Sequence, residues 1–136
     1  MSQSLQRFRD AQEEAYDRAL GELKTGRKTS HWIWYIFPQI RGLGRSTVAQ
    51  YYEIQDREEA LAYWEDPILS GRLKELCHVL LGLEGSAEEI MGFPDNLKLR
   101  SCMTLFWLIS GEQIFMDVLD KFYGGKMDEF TKKKLL

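Results

Sequence analysis

The stretch NLKLRSCMTLFWLIS, residues 96 to 110, decides how this chain is read. Leu97, Leu99, Cys102, Met103, Leu105, Phe106, Trp107, Leu108 and Ile109 leave almost no side of a helix polar. In water, a helix apolar around nearly its whole circumference has to be enclosed by other elements. These residues are therefore expected to form a central buried helix, and the flanking sequence should supply what wraps it.

Helical signals recur in both directions. Leu5, Phe8, Ala11, Ala15, Ala19, Leu20 and Leu23 fall at helical spacing over residues 4 to 24, and Gly26 supplies a stop. In HWIWYIF, residues 31 to 37, periodicity cannot separate helix from strand because nearly every position is large and apolar. Ser30 as an N-cap and Pro38 as a stop tilt the reading to a short helix, with His31, Trp34 and Tyr35 on one face. Cap signals follow closely. Ser46 precedes a helix starting near Val48, Asp56 with Glu59 and Ser86 with Glu89 resemble capping boxes, and Asp66 stands before a first-turn Pro67. Between them lie helical segments over residues 58 to 64 and 68 to 83. Beyond the central stretch, Ile114, Phe115, Val118, Leu119 and Phe122 keep helical spacing up to Gly124 and Gly125, and residues 128 to 135 add a last turn or two. There is no regular run of alternating strands. The fold class is all-α: a compact single-domain bundle of about six to eight short helices around the central one, spanning residues 1 to 136.

Composition agrees. A chain of 136 residues suits one domain, whose core hides about two thirds of the surface that the unfolded chain exposes. A hydrophobic fraction of 44% and a charged fraction of 29% are those of a globular protein. The net charge of -3 and a pI near 5.5 argue against nucleic-acid binding. The one basic run, Lys132, Lys133 and Lys134, reads as a solvated tail. No stretch approaches the roughly 18 apolar residues of a membrane span, and the start is a charged helical pattern without a signal-peptide core, so the cytoplasm is the expected location. Cys77 and Cys102 lie in no CxxC pair and are expected as reduced core residues. A zinc site would need both of them to converge with His31 and His78, and no metal or cofactor is expected.

Three features carry chemistry. In GLGRST, residues 42 to 47, Gly42 and Gly44 allow a tight turn, Ser46 and Thr47 open the next helix, and Arg41 and Arg45 add charge. Free helix N–H groups with nearby arginines suit a phosphate or carboxylate. The spacing is neither GxGxxG nor a Walker loop, and a plain interhelical turn capped by Ser46 explains the same residues. Within the central stretch, Lys98, Arg100, Ser101 and Thr104 sit among leucines and aromatics. A charge in so apolar a segment needs an acidic side chain, exposed carbonyls or a bound anion as partner, and an internal acid is the simplest of these. Finally, Gln12 and Tyr16 lie one turn apart near the apolar side of the first helix, where they can tie helices together or meet a ligand.

HWIWYIFPQIRGLGRS, read with RFRDAQ near the start, DPILSGRL in the middle and DNLKLRSCMTLF later, resembles the bacterial domain-of-unknown-function family 1810, from Phe8 to about Tyr123. The resemblance implies a mainly α-helical single domain and no particular activity. Its motif positions fall on Asp10, Gln12, His31, Trp32, Trp34, Pro38, Gln39, Gly42, Gly44, Ser46, Lys98, Leu99, Arg100 and Ser101. So many polar residues among them imply a common polar pocket.

Two functional readings result. In the first, the protein holds a small anionic ligand, phosphorylated or nucleotide-like. Trp32, Trp34 and Tyr35 form an aromatic wall, with Gln12 and Gln39 beside it. Arg41, Gly42, Gly44, Arg45, Ser46 and Thr47 hold the anion, and Lys98, Arg100 and Ser101 close the far side. The sequence leaves catalysis open; if there is a reaction, His31 is the acid or base and Asp10 orients it. In the second reading, the protein is a helical interaction module without catalytic activity, marked by an exposed apolar patch. Oligomeric state, and whether the glycine turn meets Arg100, do not follow from the sequence.

Overall fold

The computed structural model of the chain describes residues 2–136, with side chains from Leu5 onward. The described residues form nine helices, against the six to eight expected: α1 (Ser2–Lys24), α2 (Ile33–Ile36), α3 (Thr47–Tyr52), α4 (Arg57–Glu65), α5 (Pro67–Leu81), α6 (Ala87–Met91), α7 (Asp95–Ser110), α8 (Gln113–Tyr123) and α9 (Glu129–Leu135). None is long and apolar enough to cross a membrane.

α7 is the enclosed helix. It packs against α8, α4, α9, α6 and α2, while α1 lies across α5, α2 and α4. Leu99 and every residue from Ser101 to Phe106 are buried, so the helix is covered on all sides, as its composition requires. Phe106 meets Tyr63 of α4 and Phe115 of α8 with ring centroids 5.1 and 6.0 Å apart. Thr104 turns its hydroxyl to the Arg100 carbonyl and accepts the Asp128 amide at 2.9 Å, which seats the start of α9.

The caps explain where most helices begin. Asp66 accepts from the Ile68 and Leu69 amides with Pro67 in the first turn, Ser46 accepts from Ala49, and Ser86 and Glu89 form a complete capping box. Two expectations need correction. The Asp56 carboxylate accepts from the Glu59 amide, but Glu59 does not return to Asp56; its carboxylate takes the Gln55 amide and the Arg7 guanidinium instead. Ser30 is no N-cap either. Its hydroxyl donates to Glu22, and α2 begins two residues past His31, after Trp32, without a side-chain cap.

Polar residues near the N-terminus serve as internal ties. Arg7 donates to the Tyr51 and Glu53 carbonyls at 2.8 and 2.7 Å and forks onto the buried Glu59, so one side chain closes the end of α3 and braces α4. Arg9 pairs with Asp66 at the start of α5. Past α2, Ile40 and Ile54 form a single parallel bridge: the Ile54 amide donates to the Gln39 carbonyl and the Arg41 amide to the Ile54 carbonyl, each at 2.8 Å.

Candidate functional site

The segment 28–31 is built around one carboxylate. Glu22 of α1 accepts the Thr29 amide at 2.8 Å, the Ser30 amide at 3.0 Å, the Ser30 hydroxyl and the indole N–H of Trp32 at 2.9 Å. Burial alone would raise this carboxyl, but the four donors outweigh it and hold it down to about 2. The bonds fix the backbone just before His31 and turn the Trp32 indole inward, where the residue is 1% exposed.

Beside this segment runs a hollow of about 350 Å³ between the 28–34 stretch and the entry to α7, lined by Ser30, His31, Trp34, Phe93, Asp95 and Lys98 among others. Lys28 binds Asp95 at 2.7 Å and also donates to the Ser30 carbonyl. Lys98 stands 3.4 Å from the same carboxylate, and its ammonium lies 5.5 Å from the centre of a Trp34 ring. Two lysines thus share one acid. With His31 exposed at the rim, the hollow offers an aromatic wall and more cationic than anionic groups.

His31, Trp34 and Lys98 are the expected site residues that meet here. The others disperse. Gln39 and Gly44 lie at a second space also bordered by Trp34, with Tyr52 and Glu53, whose volume of about 10 Å³ holds at most one water. Glu53 itself accepts the Gly42 amide at 3.3 Å, so an internal carboxylate stands at the turn. The glycines there have steric reasons: a Cβ on Gly44 would sit 2.3 Å from that of Ala49, and Gly42 has φ +106° with the Phe130 ring against it. Arg45, Ser46 and Thr47 are exposed on the turn. Arg41 lines a separate hollow with Arg57 and Lys134.

Three expected residues face inward with partners of their own. Gln12 is 2% exposed and donates to the Tyr35 carbonyl and the Tyr63 hydroxyl, Trp32 is held by Glu22, and Ser101 donates back to the Leu97 carbonyl. Tyr35 is half-buried, with its ring 5.1 Å from that of Tyr52. Burial pushes the phenols of both tyrosines up. Asp10 is exposed and accepts from Gln6 on its own helix; among the described residues no hydrogen bond joins it to His31. Arg100 opens onto a different hollow, toward α9. Lys28, Phe93 and Asp95 were not anticipated. Asp95 had a signal, since it stands three residues before Lys98, where a helix makes neighbours.

No group of three or more His, Cys, Asp and Glu among the described residues is arranged to hold a metal ion. Cys77 and Cys102 are free and buried, and burial pushes both thiols up.

Fold and hollow together define an all-α protein with an aromatic, cation-rich cleft beside its central helix. The chain belongs to the family described as Protein of unknown function (DUF1810), whose model matches residues 2–135. It is similar to a conserved hypothetical protein from Mycobacterium tuberculosis, whose crystal structure at 1.38 Å superposes with a TM-score of 0.94. The two are 45% identical, over 96% of this chain and 95% of that one. A search of curated proteins finds no match.

Proposed function

We propose that the protein binds a small anionic ligand, phosphorylated or nucleotide-like, in the cleft between the 28–34 segment and the start of α7. The observation that carries this reading is the convergence of Lys98 and His31 on the wall made by Trp34. The ligand's acidic group sits on Lys98 at the rim, where His31 adds a donor, and its flat part lies along Trp34 and Phe93. A volume of about 350 Å³ is in the range of small-molecule sites. The turn at 42–47 is not part of this cleft and acts as its outer support through Trp34.

The test is thermal unfolding against nucleotides, ADP-ribose and sugar phosphates, with Lys98→Met beside the parent. A ligand at 100 times its Kd stabilises the native state by about 2.7 kcal/mol, several degrees in a domain of this size. A shift with one chemical group that is lost in Lys98→Met supports the reading. No shift with any of them, or a shift of which Lys98→Met loses no part, overturns it. The rival reading, a helical module that binds a protein partner, draws on Phe93, 71% exposed at the mouth of the cleft, and on Leu97, exposed one turn further along. It calls for a pull-down in which Phe93→Ser loses the partner and Lys98→Met keeps it.

A further inference from the structure

Lys98 and Arg100 stand two residues apart on α7, and a helix turns about 200° over that interval. They therefore leave the helix on opposite sides. Lys98 goes to Asp95 and Trp34. Arg100 goes toward the segment between α8 and α9, and it is satisfied very differently.

Among the described residues, the Arg100 guanidinium makes no ion pair and no hydrogen bond, and its Nε is buried without a partner. Its one directional contact is the ring of Tyr123, whose centre lies 5.9 Å from the guanidinium carbon. That ring supplies no charge. The Tyr123 hydroxyl donates to the Asn96 carbonyl, and burial pushes the phenol up, so it stays neutral. The acids nearby are engaged elsewhere: the Asp128 carboxylate caps α9 through the Thr131 amide and hydroxyl, and Glu129 faces Lys132. A guanidinium has five donors in a planar fork, and proteins rarely bury one of them without an acceptor.

The space in front of Arg100 is a hollow of about 600 Å³, lined also by Lys126, Met127, Asp128, Phe130 and Lys132. Its lining carries three cations, Arg100, Lys126 and Lys132, against two carboxylates, Asp128 and Glu129. One cation is in excess, and the innermost, Arg100, has no counter-ion among the described residues. We infer that this hollow is a second anion site, distinct from the Trp34 cleft, in which Arg100 receives the phosphoryl group of a small phosphate ester. A phosphoryl group presents two oxygens at once to the unpartnered Nη side of the fork, which is the side open to the hollow, while Lys126 and Lys132 close over the outer oxygens. The volume exceeds that of a bare phosphate, so the ester's remaining part lies against Phe130 and Met127.

Inorganic phosphate serves as the probe, in ¹⁵N NMR of the arginine Nε–H groups at constant ionic strength maintained with chloride. The Arg100 resonance is expected to move saturably with phosphate, and a phosphate-dependent rise in Tm to persist in Lys98→Met but vanish in Arg100→Met. The first of these needs no variant and so holds even if Arg100→Met fails to fold. An Arg100 Nε–H resonance unmoved by phosphate overturns the inference, as does a stabilisation that survives in a folded Arg100→Met. Loss of the effect in Lys98→Met with retention in Arg100→Met would assign phosphate to the Trp34 cleft and leave only that reading standing.

Discussion

Glu22 is the sharpest point at which to test how this fold prepares its cleft. Replacing it with Gln keeps the shape and one oxygen for the Thr29, Ser30 and Trp32 N–H groups, but removes the charge. A carboxyl held at about 2 instead of its ordinary 4.5 has an upper limit of about 3.4 kcal/mol of stabilisation, at roughly 1.4 kcal/mol per pH unit. Glu22 is only half-buried, and solvent screening brings the expected loss in Glu22→Gln to about 1 to 2 kcal/mol at neutral pH. Glu22→Ala should lose more, about 3 kcal/mol, because the buried Trp32 N–H is then left without its acceptor. The pH dependence fixes the cause. A carboxyl depressed on folding stabilises fully above its unfolded value, and the gain drains away as pH falls from about 4.5 toward about 2. Urea unfolding of both proteins from pH 7 to 2.5 should therefore show parent and Glu22→Gln converging at the acid end. Parallel curves across that window would refute the reasoning.

Other perturbations probe the frame. Gly44→Ala forces two backbone-borne methyl carbons to 2.3 Å and should cost about 2 kcal/mol, with Ala49→Gly in the same chain recovering much of it in a denaturation cycle; simple additivity would show that the glycine is needed for another reason. Arg7→Met leaves the buried Glu59 carboxylate without its fork and should destabilise by about 3 kcal/mol, partly restored by adding Glu59→Gln; urea midpoints of the four proteins decide. Both thiols, buried and with their ionisation pushed up, should resist Ellman's reagent at pH 8 until the chain unfolds. Labelling at the rate of a free thiol in the native state would contradict their placement.

Most of the helical frame was legible because its signals are local. The apolar circumference of α7, Pro67 after Asp66 and the box at Ser86 and Glu89 all lie within a few residues of what they determine. One failure arose close by in sequence. Ser30 has the chemistry of a cap, but Glu22 competes for its hydroxyl, and nothing in the spacing announces that contest. Of the candidate site, His31, Trp34 and Lys98 met, whereas Lys98 and Arg100, neighbours on paper, diverge because a helix separates positions two apart. Gln12 reads as a residue that ties helices together or meets a ligand, and Arg7 carries no signal of its own in the sequence. Their partners lie far along the chain, at Tyr35, Tyr63, Tyr51, Glu53 and Glu59, and only the folded chain reveals that they are occupied.

Gly42 rests against Phe130, and Arg57 donates to the Leu135 carbonyl, so the region from residue 41 to 57 leans on the last helix. Arg7 holds the same region from the first. On the ribosome the turn is made early and its seat arrives late, so this stretch of the nascent chain waits for α9. A protease cut or a bulky fusion that unseats α9 would be felt first at that turn, far away in sequence, before the central helix loosened.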